Sequence, residues 1–276
     1  RLGQRVHDLR PGETASRLVD SGAYLAAYRG ESSAGLDLLI AAVLLIAVVL
    51  GVLLFIERPK HDPKLHSPRM AWLRAGLYFC GVIVFAWLTG VLPALLAQPL
   101  FTAAQLADPR WLGLTGLCFG LFVWGYVIWW PRGTLTHGRD RHWLASGLFG
   151  LVWGSCGALF LLSLYAILGG FGLPDWGAAL AMLPILTIYN MNYQSGWWDI
   201  HVSPPHNIRA WNAKKVLGAH NPFLIATLLY LVLFGNLAIF VALYALALAA
   251  SSIAMRFPPF WAPDGPPVSL ETAIGE

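Results

Sequence analysis

From one end to the other, the chain alternates long apolar runs with short polar connections, and the runs set its architecture. Apolar stretches occur at about 37–56, 71–97, 111–130, 143–169, 174–193 and 223–254. Each is long enough to cross roughly 30 Å of hydrocarbon as an α-helix, which takes about 20 residues. The pattern predicts an all-α, polytopic integral membrane protein with six spanning helices. A polar or amphipathic N-terminal segment covers 1–36, the membrane domain 37–256 and a C-terminal tail 257–276. The fifth run is opened by Pro174 and interrupted by Pro184, where a kink is expected. It is closed by Tyr189, Asn190, Met191, Asn192 and Tyr193. The last run exceeds one crossing, so it is expected to tilt or protrude.

Charge fixes the expected orientation. Six crossings put the connections near 57–70, 131–142 and 194–222 on one face, and those near 98–110 and 170–173, with both termini, on the other. The first face carries eleven Lys and Arg, including Arg58, Lys60, Lys64, Arg132, Arg139, Arg141, Arg209, Lys214 and Lys215; outside the N-terminal segment the second has only Arg110 and Arg256. The positive-inside rule makes the first face cytoplasmic. Residues 1–36 carry five arginines on the other side, accompanied by Asp8, Glu13, Asp20 and Glu31, as on an amphipathic surface helix. Arg1 stands where a Met would, so an upstream segment is expected.

Composition agrees: 57% of residues are hydrophobic and 12% charged, far from a soluble domain. Charges avoid the middles of the apolar runs, which argues against an ion pump with a buried carboxylate relay. The positive charge sits in loops beside apolar segments, so topology explains it and no nucleic-acid partner is expected. Cys80, Cys118 and Cys156 lie singly in apolar runs, as small hydrophobes. Tryptophans at 129–130, 143 and 197–198 fall at the ends of runs, the place of interface anchors. Gly113/Gly116, Gly147/Gly150 and Gly154/Gly157 remove bulk from helix stripes and are read as sites of close helix packing. Asn236, inside the last run, is a candidate for an interhelical hydrogen bond.

The histidines carry the candidate chemistry. His61 and His66 bracket the first loop of the basic face, His137 and His142 the second, and His201 and His206 the third, with His220 just before the last helix. Seven of eight histidines therefore share one face, and His7 reads as a solvated surface residue. Neutral imidazole ligates iron, copper and zinc, and several loops can enclose one or two ions together. Asp62, Asp140 and Asp199 lie close enough in sequence to ligate or to hold a ring N–H. Residues five apart on a helix diverge, but Pro63 and Pro204-Pro205 make the first and third pairs non-helical. The competing reading is that these histidines serve caps, head groups and loop hydrogen bonds.

With three histidine-bearing cytoplasmic loops between apolar spans, residues 57–222 resemble the membrane-bound fatty-acid desaturase and hydroxylase superfamily. His61/His66 and His137/His142 match the loosest form of its first histidine box. The family's later boxes hold adjacent histidines, which this chain lacks, so Asn207, Asn212 or the aspartates would complete the ligand set. The resemblance implies two irons held by the seven loop histidines, with zinc or copper as alternative ions, and Asp199 and Asn207 in the catalytic shell. It also implies dioxygen-dependent hydroxylation or desaturation of a lipid-phase substrate, fed by a cytoplasmic electron donor. Tyr189, Asn190, Asn192 and Tyr193 would then line the substrate entrance. Arg132, Arg139, Arg141, Arg209, Lys214 and Lys215 form a basic rim suited to anionic lipid or an acidic redox partner. Two rival readings are a non-catalytic subunit of a redox or photosynthetic complex, touching quinone or pigment, and a lipid transporter. The absence of G-x-S-x-G and H-E-x-x-H disfavours a serine or zinc protease.

Overall fold

The computed structural model describes residues 68–131, 141–190 and 214–256, with the side chains of 68–75 and Tyr189 outside that description. The run at 37–56, the N-terminal segment and the tail beyond 256 lie outside the described residues. Within them, every regular element is helical. The order is α1 (Pro68–Leu88), α2 (Val91–Ala97), α3 (Ala103–Ala107), α4 (Pro109–Phe122), α5 (Trp143–Gly170), α6 (Asp175–Tyr189), α7 (Asn221–Phe234) and α8 (Leu237–Ala254). α4 continues without a break into a π-helical segment, Val123–Trp129, and a second π segment, Val216–His220, leads into α7.

Among the described residues four helices are long and apolar enough to span a membrane: Pro109–Trp129, Trp143–Gly170, Val216–Phe234 and Leu237–Ala254. A fifth crossing is available if the bent pair Gly76–Leu88 and Val91–Ala97, which turn through 77° about Thr89-Gly90, count as one span. Six spans are not shown, and three of the expected runs stand apart. The run 71–97 is bent, with Gly90 in the left-handed region. The run 174–193 is described as far as Asn190, and its helix, Asp175–Tyr189, has 15 residues. The run 223–254 is two helices, because Gly235 adopts φ 59 and Asn236 caps α8 by accepting from the Ile239 N–H at 2.9 Å.

Local chemistry explains the other boundaries. Asp108 accepts from the Arg110 N–H at 2.9 Å and Pro109 occupies the first turn, so α4 starts there. Thr102 and Gln105 form a reciprocal capping box on α3. Pro222 cannot donate to the preceding turn; the chain is already helical at Lys214 and reaches that proline through the wider π turn.

α5 and α8 form the tightest pair, antiparallel: Gly147 faces Ile253, Gly150 faces Leu248 and Ala249, and Gly154 faces Tyr244 and Ala245. Gly150 and Gly154 thus act as read from sequence, whereas nothing approaches Gly113 or Gly116. α1 runs parallel to α5, its residues Tyr78, Phe85 and Thr89 meeting Trp153, Phe160 and Ser163 in step. α7 runs antiparallel to α4, with Trp111 near Tyr230 and Tyr126 near His220. One end of the bundle therefore holds Trp130, His142, Asn190, His220 and the end of α8; the other holds Asp108, Gly170 and the turn at Gly235. Arg256 lies at the His142 end, not at the Asp108 end where six spans would have put the C-terminal tail. Outward faces are apolar, as at Leu77, Val84, Trp87, Leu117, Trp124 and Leu229, which suits contact with lipid.

Candidate functional site

Two π segments meet at the His142 end. Gly125 of the first packs on Ala219 of the second, with room for little more than a hydrogen between them. π turns inside α-helices are uncommon and often mark functional positions. Here they place Tyr126 against His220, the tyrosine hydroxyl lying 2.6 Å from Nδ1. Both side chains are buried, Tyr126 at 1% exposure and His220 at 8%. His220 also meets the edge of Trp130 at a ring-centroid distance of 4.4 Å. Among the described residues no side chain bonds the other ring nitrogen, Nε2.

His220 and Tyr126 form one wall of a cleft that runs between α1, α5, α6, α7 and α8 and holds a cavity of about 40 Å³. A water needs roughly 10–15 Å³, so the space takes a few waters or a small polar head. Tyr78 and Trp153 face each other at 4.7 Å on the α1–α5 side. Gly154 and Gly157 expose bare helix along α5, and Asn190 and Tyr244 supply further polar groups. The Tyr244 hydroxyl lies 3.4 Å from Thr227 Oγ1. Apart from the imidazole and phenols, no ionisable group lines the cleft among the described residues.

Lys215 stands one turn before His220 and is 1% exposed, with its ammonium 5.1 Å from the centroid of the Trp130 ring. A desolvated cation over an indole gains about 2 kcal/mol, which helps offset the cost of burial at a helix end. This corrects the basic rim: Lys215 turns inward, while Lys214 and Arg141 are exposed, Arg141 over Trp143 at 5.7 Å. Trp130 is likewise a core residue, 3% exposed, whereas Trp143 is open at 62% and fits an interface anchor.

Of the sequence-derived metal ligands, His61, His66, His137, His201 and His206 lie outside the described residues, as do Asp199, Asn207, Asn192 and Tyr193. His142 is exposed and precedes α5 without a side-chain cap bond. His220 is not in a loop, as expected, but inside a helix and within the bundle. Among the described residues no three His, Cys, Asp or Glu side chains gather around a common point. Asn190 does line the cleft, at the C-terminal cap of α6; the side chain of Tyr189 is not described. Sequence reasoning missed Tyr126 and Tyr244, and placed Lys215 on the rim rather than inside the bundle. What signal there was that the helix starts before Pro222 lay in Lys214-Lys215 directly before the apolar stretch 216–219, with no Pro between them and Pro222.

Comparison of the chain with protein-family models, curated proteins and solved structures finds no match to any of them.

Proposed function

We propose that this membrane-embedded helical bundle binds a lipid-phase molecule by its polar group in the cleft at His220, its apolar chain leaving between helices toward the bilayer. The observation that carries this reading is a buried imidazole with one nitrogen held by Tyr126 and the other without a partner among the described residues, in a partly open cavity. Polar side chains at membrane depth characteristically face a cavity or another helix and mark substrate paths. Ligand sites in bundles are likewise built between facing helices, from an apolar lining and a few convergent polar groups. Gly157 offers a clean test, since a side chain there would meet only the Tyr78 hydroxyl at 3.8 Å and then project into the cleft. Gly157→Leu should keep the fold and lose co-purifying lipophile, measured by solvent extraction and mass spectrometry. Equal lipophile in both proteins would sink the reading.

The second reading is the iron-dependent oxidation or desaturation of a lipid-phase substrate implied by the histidine boxes. What favours it is that His142 and His220 share one end of the bundle, the end from which the other histidine loops depart. The described residues do not by themselves make an iron site, because His220 faces aromatic rings and no third ligating side chain joins it. Elemental analysis of gently extracted protein, with His201→Ala/His206→Ala as comparison, decides it: about two irons per chain, lost in the double variant, is the expected result. An unchanged metal content would remove this reading.

A further inference from the structure

The direction of the Tyr126–His220 hydrogen bond sets what the imidazole offers to the cleft. A neutral imidazole carries one N–H, on Nδ1 or on Nε2, and the partner of one nitrogen fixes the role of the other. Among the described residues the buried Tyr126 hydroxyl has no acceptor other than this nitrogen, and stranding its proton would be costly, so the contact is assigned as the Tyr126 O–H donating to Nδ1. The proton of the ring then sits on Nε2, which has no partner among the described residues and belongs to a residue lining the cavity. Nε2–H is then a donor without an acceptor among the described residues.

We infer that the occupant presents a carbonyl oxygen to His220 Nε2–H and is an uncharged, flat, conjugated carbonyl compound with an apolar tail, a quinone. This deepens the proposed function and rests on the cleft being a ligand site. The head is uncharged because no Lys, Arg, Asp or Glu lines the cleft among the described residues, Lys215 included. It is flat because the cleft is bounded by the rings of Tyr78, Trp153, Tyr126 and Tyr244 and by the side-chain-free stripe at Gly154 and Gly157. Aromatic faces stack on planar conjugated heads and gain little from a methylene chain. An alcohol head donates as well as accepts and gains less from a lone N–H; a carboxylate would need a cation that the wall does not offer.

The test uses the full-length protein in detergent with decyl-benzoquinone, decylbenzene and decanol as probes, read by tryptophan fluorescence quenching and by ¹⁵N spectra of labelled histidine. Decyl-benzoquinone should bind about tenfold or more tightly than decylbenzene, which has the flat ring without the carbonyl. His220→Phe should erase that difference, and His220→Gln, whose amide N–H reaches the position of Nε2, should restore part of it. In the unaltered protein, the ¹⁵N shifts should report a protonated Nε2 that moves on adding the quinone. Equal binding of all three probes overturns the carbonyl assignment while leaving the cleft as a ligand site; binding of none overturns both. A ring protonated at Nδ1 overturns the donor assignment whether or not the variants fold.

Discussion

Gln98 closes the turn between the last two helices with both ends of one amide: Nε2 donates to the Gly235 carbonyl at 2.9 Å and Oε1 accepts from the Leu237 N–H at 2.7 Å. Beside it, Asn236 donates to the Leu100 carbonyl at 2.8 Å, so the connection after α2 grips the tip of the α7–α8 hairpin. Backbone groups at such a turn have no helical partner and are costly to strand in an apolar setting. Gln98→Leu keeps the volume and leaves both groups unpaired; it should cost about 2–4 kcal/mol. Unfolding of the detergent-solubilised protein measures this, and an unchanged midpoint would show that water or lipid replaces the clasp.

The glycines of the bundle separate into two kinds, and substitution should tell them apart. A methyl group on Gly150 would stand 2.6 Å from the Ala249 nitrogen, and one on Gly154 2.8 Å from Ala245 Cα, both in the backbone of α8. Neither neighbour can swing away, so Gly150→Ala and Gly154→Ala should each destabilise by about 1–3 kcal/mol by forcing α5 and α8 apart. Gly116→Ala meets nothing within 4 Å and should be neutral or gain up to about 1 kcal/mol from helix propensity. Thermal unfolding of the three variants side by side checks the contrast. A Gly116→Ala loss as large as the other two would mean that propensity or lipid contact, not helix approach, sets the cost.

The spans at 111–130 and 143–169 were legible because hydropathy is summed over some 20 residues, and errors at single positions cancel. The break at Gly235-Asn236 was hidden for the same reason: two residues weigh little inside a long apolar run. Its sign was nonetheless present, a residue that tolerates the left-handed region followed by a good N-cap. His220 stood out as chemistry, but its partner Tyr126 did not, since a tyrosine 94 positions away is brought to it only by α4 packing against α7. The cleft itself is written in residues from several helices, none unusual alone. Besides His220, only Asn190 of its polar lining was singled out from the sequence, because it interrupts an apolar run. The glycine stripe was legible as small residues, while which glycines touch a neighbour depended on which face of each helix turned inward.

Asp108 gives the fold an acid-sensitive point outside the membrane-spanning segments. Its carboxylate caps α4 through the Arg110 N–H and pairs with the Arg110 guanidinium at 3.1 Å. The Arg110 side-chain hydrogen bond, followed by the backbone bond to the same residue, holds this carboxyl below its ordinary range. A folded-state value lower than the unfolded one means that the contribution is complete above the ordinary carboxylate pKa of about 4 and fades as pH falls through the lowered value. Asp108→Asn retains an N-cap acceptor without the titration. Its unfolding midpoint should therefore depend less on pH below about 4 than that of the parent protein; parallel curves would show that exposure and screening leave the pair without effect.

The direction of each crossing makes a prediction that six spans would reverse. α5 leaves the His142 end, and α8 returns to it, because Gly147 at the start of α5 faces Ile253 at the end of α8. Asp108 sits at the opposite end, beside the clasp formed by Gln98, Leu100, Gln105 and Asn236. With the last apolar run crossing once, Arg256 would share a side with Asp108; with it crossing twice, Arg256 shares a side with His142. Single substitutions Asp108→Cys, His142→Cys and Arg256→Cys, labelled in sealed vesicles by a membrane-impermeant thiol reagent, distinguish the two. The native Cys118 and Cys156 are buried, and Cys80 faces outward within an apolar helix, so unsubstituted protein provides the background. Positions 142 and 256 should react from the same side and 108 from the other. Labelling of 256 together with 108 would mean that the chain does not fold back at Gly235.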